Sequence, residues 1–148
     1  MISKSDPQED GQKLMRWMRG HVPAVECVGD LFFIFHLLDD LIDKDAQRTD
    51  EEICRAFFLA LVGLHRNEFF ARNAPVLMET IERAYVDWRT ANTWERRLPP
   101  DRHLLSMAYV LRCSVLNVIT KCAELCGGID WAIEVDPEIR AYGQTVSR

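Results

Sequence analysis

Residues 23–43 read PAVECVGDLFFIFHLLDDLID, and the fold class follows from how their side chains fall around a helix. At about 100° per residue, Leu41, Ile34, Cys27, Leu38, Leu31, Ile42, Phe35 and Val28 form one apolar arc. Glu26, Asp30, Asp40, His36 and Asp43 occupy the opposite side, with Asp39 at the border. Pro23 suits a first helical turn, where its missing N–H is not needed. The stretch is therefore expected to be an amphipathic helix running to about Ile42. Phe33 and Leu37 fall among the acids. A wholly solvated face has little reason to hold them, so that side is expected to line a cleft.

Start and stop signals place further helices on both sides. Asp6-Pro7-Gln8-Glu9 reads as a cap, a first-position proline and a reciprocal Glu, opening a helix to about Arg19 that Gly20 ends. Thr49-Asp50-Glu51-Glu52 is a capping box that opens a helix to about Arg66. Asn73 with Pro75 is read as the start of a long helix to about Arg97, interrupted by Pro99-Pro100. Asp101 begins another to Cys126, with Gly127 as its left-handed cap. Asp136-Pro137-Glu138 is read as opening a short last helix. No segment alternates with period two for long enough to compete as a strand. The expectation is a single all-α domain over residues 1–148, a bundle of five to six helices.

Composition narrows the function. A formal net charge of −5 and no basic cluster argue against a nucleic-acid binder. The five cysteines, Cys27, Cys54, Cys113, Cys122 and Cys126, form no C-x-x-C pair and are odd in number. A reducing cytoplasm suits them better than a disulfide framework. The N-terminus has no apolar signal core, and the longest unbroken apolar run, Ala56 to Leu64, is short of a membrane span. That run is apolar around its whole circumference, so its helix must be surrounded. Either it is the central helix of the bundle or a second subunit covers one side.

Asp39-Asp40-Leu41-Ile42-Asp43 spells D-D-x-x-D. Asp39 and Asp43 lie one turn apart, so two carboxylates can converge on a hard cation. At a helix C-terminus they also oppose the helix dipole, so they are not there as favourable caps. Here the chain resembles the class I isoprenoid synthases, prenyltransferases and terpene cyclases, whose acidic motif holds Mg²⁺ against a substrate diphosphate. The resemblance implies that Asp39 and Asp43 are magnesium ligands assisted by Asp40. Its second acidic motif has its nearest counterpart at Leu116 to Glu124, where Thr120 and Glu124 match. The first ligand position is Leu116, and Asn117 restores the pattern only with a one-residue shift. Asn117, Thr120 and Glu124 belong to a polar stripe on the fifth helix, and Arg112 is the candidate contact for diphosphate oxygens. Arg48, Arg55, Arg66 and Arg112 are equally available as structural partners for the aspartates.

Other constellations have plainer explanations. His36 and Asp40 share a face, but no second His lies near for a transition metal. Glu79 and Glu82 form an E-x-x-E without the companion E-x-x-D of the all-α nucleotide pyrophosphohydrolases. E-x-x-H, phosphate-binding glycine loops and the nucleophile elbow do not occur. Two functions remain. The first is a non-enzymatic interaction or accessory protein that forms a homodimer. The second is a Mg²⁺-dependent binder or enzyme acting on a diphosphate-bearing ligand through Asp39, Asp40 and Asp43. Neither requires nucleic acid or a membrane.

Overall fold

Thr49 shows how locally the helix starts are written. Its hydroxyl accepts the Glu52 N–H at 3.1 Å, while the Glu52 carboxylate accepts the N–H and O–H of Thr49. This reciprocal pair satisfies donors that a helix start leaves unpaired. The computed structural model describes residues 7–146, with side chains described to residue 143. Among these residues there are six helices and no strand. They are α1 (Pro7–Trp17), α2 (Val22–Asp43), α3 (residues 50–66), α4 (Glu68–Glu95), α5 (Arg102–Gly127) and α6 (Ile129–Val146). The capping role read for Asp6 lies outside the described residues.

Of the described residues, 7–74 with 145–146 form one compact unit and Pro75–Gln144 form a second. In the first, α1 stops where Arg19 and Gly20 both take positive φ and the Gly20 N–H bonds the Met15 carbonyl at 2.8 Å. Trp17 and Met18, beside that stop, are fully buried, as are Ala24, Cys27 and Val28 of α2. In its second half α2 departs from the expected arc. Leu37 and Asp40 are buried there, whereas Leu41 and Ile42 are exposed. The cause is α3, whose first turns pack on the mixed side of α2, with Arg48 on Asp40 and Arg55 over the Phe33 ring at 5.1 Å. Around Phe33 and Asp40, the side expected to line a cleft is covered by the start of α3 and the residues leading into it.

Two prolines read as helix starts are internal. The helix expected from Asn73 begins at Glu68, because Asn67 supplies the cap: its side-chain oxygen accepts the Phe70 N–H at 2.9 Å. The Asn67 amide also donates to the Pro23 carbonyl at 2.9 Å, tying the start of α4 to that of α2. Pro75 then lies inside α4, where it withholds one N–H from the ladder. Likewise α6 opens at Ile129, after Gly128 at φ +88°, and carries Pro137 within it. The positive φ belongs to Gly128, where Gly127 was expected to take it, and Gly127 closes α5.

In the second unit α5 begins as read, with Asp101 accepting the Leu104 N–H at 3.0 Å. It bends at Cys113-Ser114, between Arg102–Arg112 and Val115–Gly127. The break has a polar anchor: the buried Ser114 hydroxyl donates to the buried Asp87 carboxylate of α4 at 2.7 Å. Leu116, Val118, Ile119, Cys122 and Ala123 of α5 are buried, as are Ala132, Val135 and Ile139 of α6. Gly143 lets α6 come close to α5, since a Cβ there would meet the Leu116 methyl groups. By length and composition alone Arg102–Gly127 would suffice to cross a membrane, a test that core helices of soluble proteins also pass.

Candidate functional site

The acidic motif ends α2 where the chain turns toward α3. Asp40 is only 7% exposed, and one carboxylate oxygen accepts the Arg48 Nε–H at 2.8 Å and lies 2.6 Å from Nη2 in an ion pair. Arg48 reaches Glu52 with its other terminal nitrogen at 2.6 Å. These hydrogen bonds, to Glu52 and then Asp40, push the guanidinium above its ordinary range, with its desolvation opposing them. Bonding to Arg48, with the Thr49 backbone N–H adding to it, holds the Glu52 carboxyl below its usual range. The Arg48-Thr49 junction thus closes the α2–α3 connection by a cap and an ion-pair chain sharing Glu52.

Asp40 therefore already has its compensating cation, and the resemblance to a magnesium site is carried by Asp39 and Asp43. Both are partly exposed and both take part in interactions within the protein. Among the described residues, no group of three or more His, Cys, Asp or Glu side chains is placed to hold a metal ion. His36 stacks on Phe32, with ring centroids 5.6 Å apart and planes 17° from parallel. Burial pushes its pKa down, against the pull of Asp40 and Asp39. Burial pushes Asp30 up, with Arg55 opposing.

The four residues considered for diphosphate contact lie in the second unit, each with a protein partner. Arg112 bonds Glu95 at 3.0 and 2.6 Å and the buried Asn92 at 2.6 Å. The Asn117 side-chain oxygen accepts from Arg140, Arg140 also bonds Asp136 at 3.4 Å, and Asp136 accepts the Thr120 hydroxyl at 2.5 Å. Asn117 and Thr120 thus stand at the two ends of a polar chain that runs between α5 and α6 through Arg140 and Asp136. Asp136 lies inside α6, which starts seven residues earlier at Ile129, so it does not serve as a helix cap. Glu124 pairs with Lys121 at 2.8 Å. Leu116, standing where the resembled family places a ligand, packs over Gly143.

All five cysteines are free thiols. Burial pushes Cys27 up to about 12 and also raises Cys126, which favours the protonated thiol in both. Cys54 is exposed, on α3.

The outward face of α3 is the feature that the sequence did not resolve. Far from being central, α3 leaves Phe57 60%, Phe58 54% and Leu61 70% exposed, burying only Ala56 and Leu64. Its middle turn also departs from α geometry. Asp50–Phe58 is α-helical, Leu59–Gly63 is π-helical and Leu64–Arg66 closes the helix. A π turn absorbs one extra residue, so residues eight apart across it share a side, as residues seven apart do in an α-helix. Ala56 and Leu64 share the inner side in this way. Phe57 and His65, both exposed, share the outer one. The sequence offers only Gly63 as a hint, and an apolar run alone does not announce a π turn.

No protein-family model matches the chain, and no curated protein or solved structure matches it.

Proposed function

We propose that this chain is a non-enzymatic interaction or accessory protein that works as a homodimer, with the outward apolar face of α3 as its contact surface. The carrying observation is the exposure of Phe57, Phe58 and Leu61 side by side on one helix. Single exposed apolar residues are ordinary, whereas the largest apolar patch on a protein, about 300–600 Å² on a typical monomer, is often functional. At roughly 200 Å² per Phe side chain, the two rings alone leave about 230 Å² facing water. Aromatic anchors of this kind dominate the energetics of protein interfaces. The π turn beneath them fits the same role, since such turns concentrate at functional positions. Five free thiols suit a reducing compartment, and the cytoplasm is the proposed location.

The test is size-exclusion chromatography with light scattering on wild type and on Leu61→Asp. Wild type should run at the mass of two 17.2 kDa chains, and Leu61→Asp, a surface change that leaves the core alone, at the mass of one. A monomeric wild type at high micromolar concentration would remove the proposal.

A further inference from the structure

The two ends of α3 carry opposite charge, and this fixes how a second copy would lie on it. Asp50, Glu51 and Glu52 form its first turn and His65 and Arg66 its last, with the exposed apolar residues between them. Glu52 is engaged by Arg48, whereas Glu51 and Arg66 are exposed. Glu51 and Phe58 are seven apart within α-helical geometry. Arg66 follows Phe58 by eight across the π turn, so all three fall on one line beside the line of Phe57, Leu61 and His65.

We infer that two copies dock α3 against α3, antiparallel about a two-fold axis near Phe58, each Glu51 meeting the partner's Arg66. This rests on the proposal that α3 is a homodimer contact, and names its geometry. Three features converge on the arrangement. In a parallel pair, Glu51 would face Glu51 and Arg66 would face Arg66, a like-charge contact at both ends. Antiparallel pairing forms the opposite-charge contact twice, because a two-fold interface repeats every contact. The register is also consistent: the midpoint of Glu51 and Arg66 falls between Phe58 and Leu59, and the midpoint of Phe57 and Leu61 falls at Leu59. One axis therefore seats Phe57 against the partner's Leu61 while it pairs the charges.

Cys54 reports the orientation without any substitution. In a parallel pair the two Cys54 residues would be neighbours and mild oxidation would link them. In the antiparallel pair each lies between four and five residues from the axis, a separation of about 13 Å along the helices, outside the reach of a disulfide. The experiment measures the dimer dissociation constant by sedimentation for wild type, Glu51→Arg, Arg66→Glu and the double variant, with circular dichroism confirming that each folds. Each single reversal should weaken the dimer about tenfold, since two exposed pairs become repulsive. The double variant should return to within about threefold of wild type. Wild type should not cross-link on mild oxidation, whereas Phe58→Cys in a Cys54→Ser background should. A dimer indifferent to the reversals, or one that links through Cys54, would overturn the antiparallel geometry while leaving the homodimer in place. A wild type with no dimer would overturn both.

Discussion

Replacing Arg48 with alanine would leave the Asp40 carboxylate without its cation. The Arg48 and Asp40 side chains are 16% and 9% exposed, and one Asp40 oxygen accepts the Arg48 Nε–H at 2.8 Å with Nη2 2.6 Å away. Fully exposed pairs contribute about 0–1 kcal/mol. Breaking a buried pair by removing one partner costs about 3–5 kcal/mol, because the remaining charge stays desolvated. The exposures place this pair nearer the buried limit, and about 2–3 kcal/mol is expected. At roughly 3 °C per kcal/mol for a chain of this size, Arg48→Ala should lower the melting temperature by about 6–9 °C, read by circular dichroism and checked by urea titration. The loss is chiefly a charge penalty, so Asp40→Asn placed on Arg48→Ala should recover part of it. Glu52→Ala, which removes a more exposed pair and one arm of the capping box, should cost only about 1 kcal/mol. An Arg48→Ala protein melting within about 2 °C of wild type, or one made no better by Asp40→Asn, would refute the reasoning.

Three further outcomes follow from the same geometry. Burial holds the His36 pKa below its ordinary 6.5, so its contribution to stability is complete above that pH and is lost as pH falls through 6.5 toward the folded value. His36→Gln should therefore flatten the fall in melting temperature between about pH 7 and 5, and an unchanged slope would count against the assignment. Ser114→Ala removes a buried donor from Asp87 at the bend of α5, and should cost about 1–2 kcal/mol in urea unfolding; a neutral change would mean that this bond does not hold the bend. MgCl₂ with inorganic pyrophosphate should leave the melting temperature of wild type unchanged. A rise that disappears in Asp39→Ala/Asp43→Ala would instead establish a metal–diphosphate site, since a ligand that binds only the folded state must raise the midpoint.

Much of the helix plan was legible because capping is local. Thr49 with Glu52, Asp101 with the Leu104 N–H, and the positive φ at Gly20 are each decided within a few residues. Pro75 and Pro137 misled for the complementary reason. A proline preceded by Asn or Asp within two residues resembles a helix start, but here the helix continues through the proline. The cap of α4 is Asn67, and Asp136 is held by Thr120 and Arg140, sixteen residues before it and four after. The pairing of Asp40 with Arg48 was among the alternatives that the residues left open, and no local rule selects it over Arg55, Arg66 or Arg112. Placing Phe33 and Leu37 among the acids correctly signalled that this side of α2 is not simply solvated. What covers it is the first part of α3, a tertiary choice invisible to periodicity. The π turn redirects every side chain after it by about one residue, which returns Leu64 to the inner side beneath Ala56.

The most direct measurement is sedimentation velocity of wild type and Leu61→Asp over a hundredfold range of concentration. If α3 is the contact surface, the wild-type coefficient rises with concentration from monomer to dimer and that of Leu61→Asp stays at the monomer throughout. Two identical concentration profiles, whether both monomeric or both dimeric, would show that the outward face of α3 does not join two copies of this chain.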